Sequence, residues 1–211
     1  MTEALSERRH AAPSAAIVLA SASAARAALL RAAGVAAIAE PATVDEAEIR
    51  VSLRAAGADA AAAATMLAEL KAQKVSSRHP GGLVIGADQI LDCGGRWFDK
   101  PESLARARDD LLALRGRSHD LHSAVVAVCD GARLWHQSER ATLTMRPFSD
   151  AFLDSYLNAA GPAALVSVGA YQLEGVGAQL FSRIQGDYFA ILGLPLLPLL
   201  EFLRARGALA A

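Results

Sequence analysis

Two short runs of branched apolar residues, Ile17-Val18-Leu19-Ala20 and Leu83-Val84-Ile85-Gly86-Ala87, constrain this chain more than any other feature. Each has the length and branching of a fully buried strand. The first leads through Ser21-Ala22-Ser23 into a helical stretch from Ala24 to Ala33, stopped by the cap signal Gly34. The second is expected to close at Asp88. Between them, Val35 to Ala39 reads as a strand ended by Pro41, and Asp59 as the N-cap of an alanine-rich helix reaching about Val75. Further on, Ser103 caps a helix ending at Gly116. Residues 121–128 and 134–145 read as strands joined by Asp130-Gly131, a turn pair suited to positive φ. Ser149 caps another helix, residues 167–171 and 179–183 read as glycine-rich strands, and a helix from about Pro195 to Arg206 closes the chain. Strands alternating with helices plus one antiparallel hairpin predict an α/β fold: a mixed twisted sheet flanked by helices, two-lobed with a central cleft.

Of the 211 residues 48 are alanine; without them about 30% of the chain is larger and apolar, enough for one core of ordinary size. Residues 1–15 are expected to be a flexible tail and 16–211 a single domain. A net charge of −1 supplies no global field for a nucleic acid polymer or an acidic membrane, though a local basic cleft stays open. The apolar tract 55–70 is mostly alanine and is broken by Gly57, Asp59 and Glu69, which argues against a membrane span. The first residues lack the order of a secretory signal, so a cytoplasmic protein is expected. Cys93 and Cys129 have no metal-ligand spacing and read as reduced thiols.

Five constellations carry possible chemistry. A helix N-terminus flanked by Ser21, Ser23 and Arg26 suits phosphate; alternatively Ser23 is only a cap and Arg26 a surface residue. Asp88 and Gln89 at a strand end suit a cation or a water proton, with Lys100 in Asp99-Lys100-Pro101 returning to the same crevice; the alternative is a turn and an unrelated lysine. Glu46 lies in the acidic segment Val44-Asp45-Glu46, read as a loop. Lys71 is one of only three lysines, with Lys74 and Lys100, against 18 arginines; where arginine is so preferred, a lysine suggests a compact ammonium. Arg117, Ser118, His119 and His122 cluster near the hairpin, with the two histidines on opposite strand faces and thus poorly placed for one metal. Last, glycines around Glu174 would let backbone approach a flat ligand, with Glu174 accepting from a base; bulged strands and turns are the alternative.

In order and spacing, LASASAARAALL, TVDEAE, LAELKAQKV, VIGADQ, DKP, LRGRSH, VGAYQLEGVGAQLF, IQGDY and ILGLPL resemble the Maf family of nucleoside triphosphate pyrophosphatases, from about Ile17 to Gly207. The resemblance implies hydrolysis of the α–β phosphoanhydride bond, giving a nucleoside monophosphate and pyrophosphate with Mg²⁺ or Mn²⁺. It implies Asp88 as general base and metal ligand with Glu46, and Ser21, Ser23, Arg26, Lys71 and Lys100 around the phosphates. Substrate choice looks tied to Ala25, Gln89 and Glu174. Gln89 and Glu174 match the branch acting on 7-methyl-GTP, whereas the dTTP/UTP branch usually has Thr and Gln there. Where members carry proline, an aromatic or arginine, and two basic residues, this chain has Ala24-Ala25-Arg26-Ala27. The resemblance therefore implies a house-cleaning enzyme for 7-methyl-GTP or another modified nucleotide, and a homodimer. The alternatives are a dTTP/UTP pyrophosphatase and a non-catalytic nucleotide-binding regulator of cell division.

Overall fold

In the computed structural model, which describes residues 16–210, the first buried run is strand β1 (Ile17–Ala20) and the second opens strand β3 (Leu83–Cys93). They pair in parallel, with β2 (Ala37–Ala39) parallel on the far side of β1. Beyond β3 the sheet is antiparallel, through β5 (Ser118–Cys129), β6 (Ala132–Met145) and β7 (Phe181–Gln185). The order is β2-β1-β3-β5-β6-β7, with the short β4 (Arg96–Phe98) against the far end of β3. Asp130 and Gly131 turn the β5–β6 hairpin with φ of 48° and 77°, as their sequence requires.

Helix α3 (Ala60–Ser76), capped by Asp59, covers one face of the parallel half. Ala63, Ala64, Leu67, Ala68, Ala72 and Val75 bury against Val18, Val84, Ile90 and Val126. Helices α1 (Ala24–Ala32) and α7 (Leu196–Ala205) cover the other face. A further core, built from α4 (Leu104–Leu114), α5 (Asp150–Ala160) and the far ends of β3, β5 and β6, fills the second lobe. Ser103 and Ser149 accept from the backbone N–H of Arg106 and Phe152, as caps. Among the described residues no helix is long and apolar enough to cross a membrane.

The structure corrects four readings. Strand β3 does not close at Asp88 but runs on to Cys93, because β5 pairs with it as far as Asp92. Glu46 is not in a loop: Asp45 caps a helix, α2 (Glu46–Ala55), by accepting from the Glu48 N–H. Residues 168–170 form a 3₁₀ turn rather than a strand, since Gly169 and Ala170 both take positive φ, 76° and 60°. The last strand starts at Phe181 rather than 179, and a four-residue helix, α6 (Tyr188–Ile191), follows it. The tail expected over 1–15 lies outside the described residues.

The approach of α3 to β3 is close enough to forbid a side chain at Gly86. A Cβ there would sit 2.0 Å from the Ala68 carbonyl oxygen and 2.9 Å from the Ala72 Cβ. Helix and strand backbones cannot rotate out of such a contact, so overpacking of about 1–3 kcal/mol or more outweighs the gain of up to ~1 kcal/mol from a stiffer unfolded chain. Gly86→Ala is expected to lower stability by at least about 2 kcal/mol in urea unfolding. Wild-type stability in G86A would show that α3 does not sit this close.

Candidate active site

The cleft follows from a gap in the sheet. Strand β1 ends at Ala20, opposite Gly86, and β4 does not meet β3 until Leu91. Over Ala87 to Ile90 that edge of β3 has no strand beside it among the described residues, so its carbonyls need other donors. Arg26 supplies one: Nη1 donates to the Ala87 carbonyl at 2.9 Å and to Ser21 Oγ at 3.2 Å, while Nε donates to the Gly193 carbonyl at 2.8 Å. Ser21 Oγ also accepts from the Ser23 N–H, and Ser23 Oγ caps α1 by accepting from the Arg26 N–H. Both hydroxyls and the free N–H groups of α1 thus open on the gap, an arrangement that favours anions. Burial pulls the Arg26 pKa below the ordinary arginine value, and Asp88 and Glu46 act the other way.

Asp88 sits in the gap, 2% exposed. Its Oδ1 accepts from Lys71 Nζ at 2.6 Å, and the same ammonium lies 2.8 Å from Glu46 Oε1. Lys71 reaches them because Ala68 and Ala72, one turn apart on the inner face of α3, let the helix settle onto Gly86. Two carboxylates therefore converge on a single cationic centre. Arg50, one turn beyond Glu46 on α2, lies 3.4 Å from Asp88 Oδ2 and 2.6 Å from Asp99 Oδ1. Burial opposes its charge, but Asp88, Asp99 and Glu46 together raise its pKa above the ordinary arginine value. Lys100 lines the same cleft. The residue is exposed overall, yet desolvation by the cleft wall and then the charges of Arg26 and Lys71 lower its pKa.

The cleft holds about 540 Å³, and Ser21, Ser23, Ala25, Arg26, Glu46, Lys71, Asp88, Gln89, Lys100 and Glu174 all line it. At its other end Gln89 is pinned. Its Nε2 donates to Ser123 Oγ at 2.8 Å and to the carbonyls of Ala190 and Ile191, each at 3.1 Å. Ser123 Oγ donates in turn to the Ala190 carbonyl at 2.6 Å. With its amide nitrogen committed to the protein, Gln89 offers the cleft its carbonyl oxygen, an acceptor. Glu174 is exposed on the opposite loop.

That loop is held from beneath. Tyr156 Oη donates to the Ala170 carbonyl at 2.8 Å, and Tyr171 Oη pairs with His119 Nε2 at 2.8 Å. Two of its glycines, Gly169 and Gly177, are required by close packing within the protein. A Cβ on Gly169 would meet Leu91 at 2.6 Å, and one on Gly177 would meet the Gln172 carbonyl at 2.4 Å. His119 is thus a buried loop anchor, while His122, three residues on, is only partly buried. Lys74 and Arg117 are exposed and do not line the cleft. Cys93 and Cys129 are free thiols.

Sequence reasoning missed Arg50 and Ser123. Arg50 was legible only through α2: once Asp45 is read as a cap, Glu46 and Arg50 fall at i and i+4 on one helix face. Ser123 lies in an apolar stretch of β5 with no local signal, and only its register opposite Gln89 exposes it.

A family model described as Maf-like protein matches residues 16–206. The chain belongs to the Maf-like family. Over 192 residues it is 58% identical to a protein of Paramagnetospirillum magneticum named nucleoside triphosphate pyrophosphatase, covering 91% of this chain and 99% of the relative. It is 49% identical over 193 residues to a Rhizobium etli protein named 7-methyl-GTP pyrophosphatase, covering 92% and 97%. A solved HAM1 protein from Coxiella burnetii aligns with a TM-score of 0.40 and 20% identity, over 64% of this Maf-like chain and 74% of that one.

Burial lowers the His119 pKa from its ordinary 6.5 to about 4, and its Nδ1 has no partner. Well above pH 6.5 the imidazole is neutral in both the folded and the unfolded chain. Below it, the unfolded chain takes up a proton that the folded chain refuses, so stability falls as pH drops toward 4. Between pH 7 and 5 the loss is expected to be about 2 kcal/mol in urea unfolding, and His119→Gln is expected to abolish that slope. A wild type equally stable at both pH values would contradict a neutral buried His119.

Proposed function

We propose that this Maf-like protein is a nucleoside triphosphate pyrophosphatase, which splits the α–β phosphoanhydride bond into a nucleoside monophosphate and pyrophosphate, and that its base site takes 7-methyl-GTP or a similarly modified purine nucleotide. One observation carries the reading: the cations Arg26, Lys71 and Lys100 and the N-terminus of α1 line one cleft with the buried carboxylate Asp88. The names of the relatives agree with the reaction, and that of the Rhizobium etli relative with the substrate.

Asp88 and Glu46 suit a divalent cation, since both carboxylates already converge on one positive centre, the Lys71 ammonium. Among the described residues no group of three or more His, Cys, Asp or Glu side chains is placed to hold a metal. That fits Mg²⁺ or Mn²⁺, which takes few protein ligands and completes its shell with water and phosphate oxygens. When bound, the ion would neutralise charge on the phosphates. The chain's own part is distinct. Asp88 accepts a proton from water as the water oxygen bonds to one phosphorus of the α–β linkage, that phosphorus loses its bond to the bridging oxygen, which leaves with the other product, and Arg26, Lys71 and Lys100 stabilise the charge that develops. Ser21, Ser23 and the helix N–H groups orient the phosphates.

At the base end, Gln89 presents a carbonyl and Glu174 a carboxylate, both acceptors. Guanine offers N1–H and N2–H₂ donors together, whereas thymine and uracil each offer one ring N–H. A carboxylate also attracts the cationic ring of a 7-methylated guanine. Ala25 contributes no ring for stacking, so discrimination falls to these two acceptors.

The test is pyrophosphate and monophosphate release from 7-methyl-GTP, GTP, dTTP and UTP, each with and without Mg²⁺ or Mn²⁺. The fastest turnover is expected with 7-methyl-GTP and metal; preference for dTTP or UTP would reverse the assignment of the base. Asp88→Asn is expected to lower kcat by at least about 100-fold. Wild-type turnover in D88N would remove Asp88 from the chemistry, and tight binding of nucleotide without products would favour a regulator.

A further inference from the structure

Arg50 lines the cleft with a guanidinium that is only loosely engaged. Arg26 has Nε and Nη1 committed to the carbonyls of Gly193 and Ala87, at 2.8 and 2.9 Å, which makes it a fixed strut. Lys71 is held at 2.6 and 2.8 Å by two carboxylates. Arg50 differs. Its contacts with Asp88 and Glu46 are long, 3.4 and 3.8 Å, and its approach to the Gln89 carbonyl is 3.5 Å. Its Nε has no partner among the described residues, although that atom is shielded from solvent. Its one short contact, 2.6 Å, is with Asp99, whose side chain is 78% exposed. An ion pair to so exposed a carboxylate is weak, whereas a phosphate can take both arms of a guanidinium fork.

The helix that carries Arg50 points the same way. No residue of α2 is fully buried, and Ile49 and Leu53 pack only partly against the α3 core. Arg50, with 15% of its side chain exposed, turns from the same helix into the cleft beside Glu46. Its guanidinium lies against the second oxygen of Asp88, the one that Lys71 does not hold. Any group that draws Arg50 away leaves that oxygen free.

We propose that Arg50 is a substrate-binding residue for the phosphate chain, parked on Asp88 and Asp99 in the absence of nucleotide and transferred to a phosphate when nucleotide binds. The transfer forms a guanidinium–phosphate pair and frees Asp88 Oδ2 to face the water. It adds a fourth cation to Arg26, Lys71 and Lys100, from a helix whose existence the local sequence only hints at. The assignment rests on the triphosphate lying in this cleft, as in the proposed function, but not on the identity of the base or on turnover.

The experiment measures the affinity of the full-length protein for inorganic tripolyphosphate by calorimetry, and KM and kcat for the best nucleotide of the panel. The proteins compared are wild type, Arg50→Ala, Arg50→Gln and Asp99→Asn, each checked for folding by thermal unfolding. Arg50→Ala and Arg50→Gln are expected to weaken tripolyphosphate binding, and to raise KM, by about 10- to 100-fold, the effect of losing a hydrogen bond to a charged group. Asp99→Asn removes the exposed partner but keeps the guanidinium, so its affinity is expected to stay within about fivefold of wild type. R50Q keeps most of the stem packing and is read in the same way should R50A fail to fold. Unchanged tripolyphosphate affinity in the folded Arg50 variants would overturn the proposal. So would a loss in D99N as large as that in R50Q, because the pair would then be a strut that holds α2. Tripolyphosphate binding lost with Arg50 supports the proposal even if no nucleotide is hydrolysed; hydrolysis with unchanged affinity sinks it and leaves the proposed function standing.

Discussion

The contact between α3 and β3 at Gly86 is the constraint on which the site depends. Burying a lysine ammonium beside a carboxylate costs several kcal/mol in desolvation before any attraction is counted. Here the 2.6 Å pair between Lys71 and Asp88 exists because nothing larger than a methyl group separates helix from strand at Gly86, Ala68 and Ala72. A buried ion pair is weak evidence for stability. This one is better understood as a charged site that the packing holds open for use, with Glu46 completing it from the rim.

The second requirement is the gap in the sheet. Where parallel strand β1 stops and antiparallel β4 has not begun, β3 exposes backbone and side chains to a crevice, the same logic that places ligands at the switch points of α/β sheets. Arg26 meets the backbone's need by bonding Ala87, and in doing so locks α1 to Gly193 in the turn after α6. A residue that reads as a phosphate ligand is thus first a structural clamp. Arg50 carries the reverse division of labour: its tertiary bonds are long or exposed, so its charge is the more transferable.

Much of this was legible in the sequence because it rests on local rules. Ser23, Asp59, Ser103 and Ser149 cap the helices they precede, and Asp130-Gly131 turns a hairpin, since each needs only its neighbours within a few residues. What escaped depends on partners far along the chain. The extension of β3 past Asp88 is set by β5, some 35 residues on, and not by any breaker near Asp88. Helix α2 was obscured because it has no fully buried face to imprint a 3.6-residue apolar period. The turn at Gly169-Ala170 reads as a strand by composition, yet the alanine holds positive φ only because Tyr156 grips its carbonyl from the core. Several residues lining the cleft carried a local signal: a helix start at Ser23 and Arg26, a rare lysine at Lys71 and Lys100, and a glycine-rich segment at Glu174. Arg50 and Ser123 carry none of these.

The abundance of alanine has opposite consequences at the two ends of the cleft. On α3 it lets the helix sink onto the sheet and brings Lys71 to Asp88. At Ala25 it leaves the wall without a ring or a charge. Under the proposed function, recognition of a base draws on groups whose direction is fixed, because a mobile acceptor gains little selectivity after the entropy of ordering it. Gln89 meets that condition: Ser123 and the carbonyls of Ala190 and Ile191 hold its amide nitrogen, so only the oxygen faces inward. A ligand edge that offers donors is accepted, and one that offers an acceptor there meets an unrelieved lone pair. The orientation of that one amide is set from outside the cleft, by strand register and by a four-residue helix.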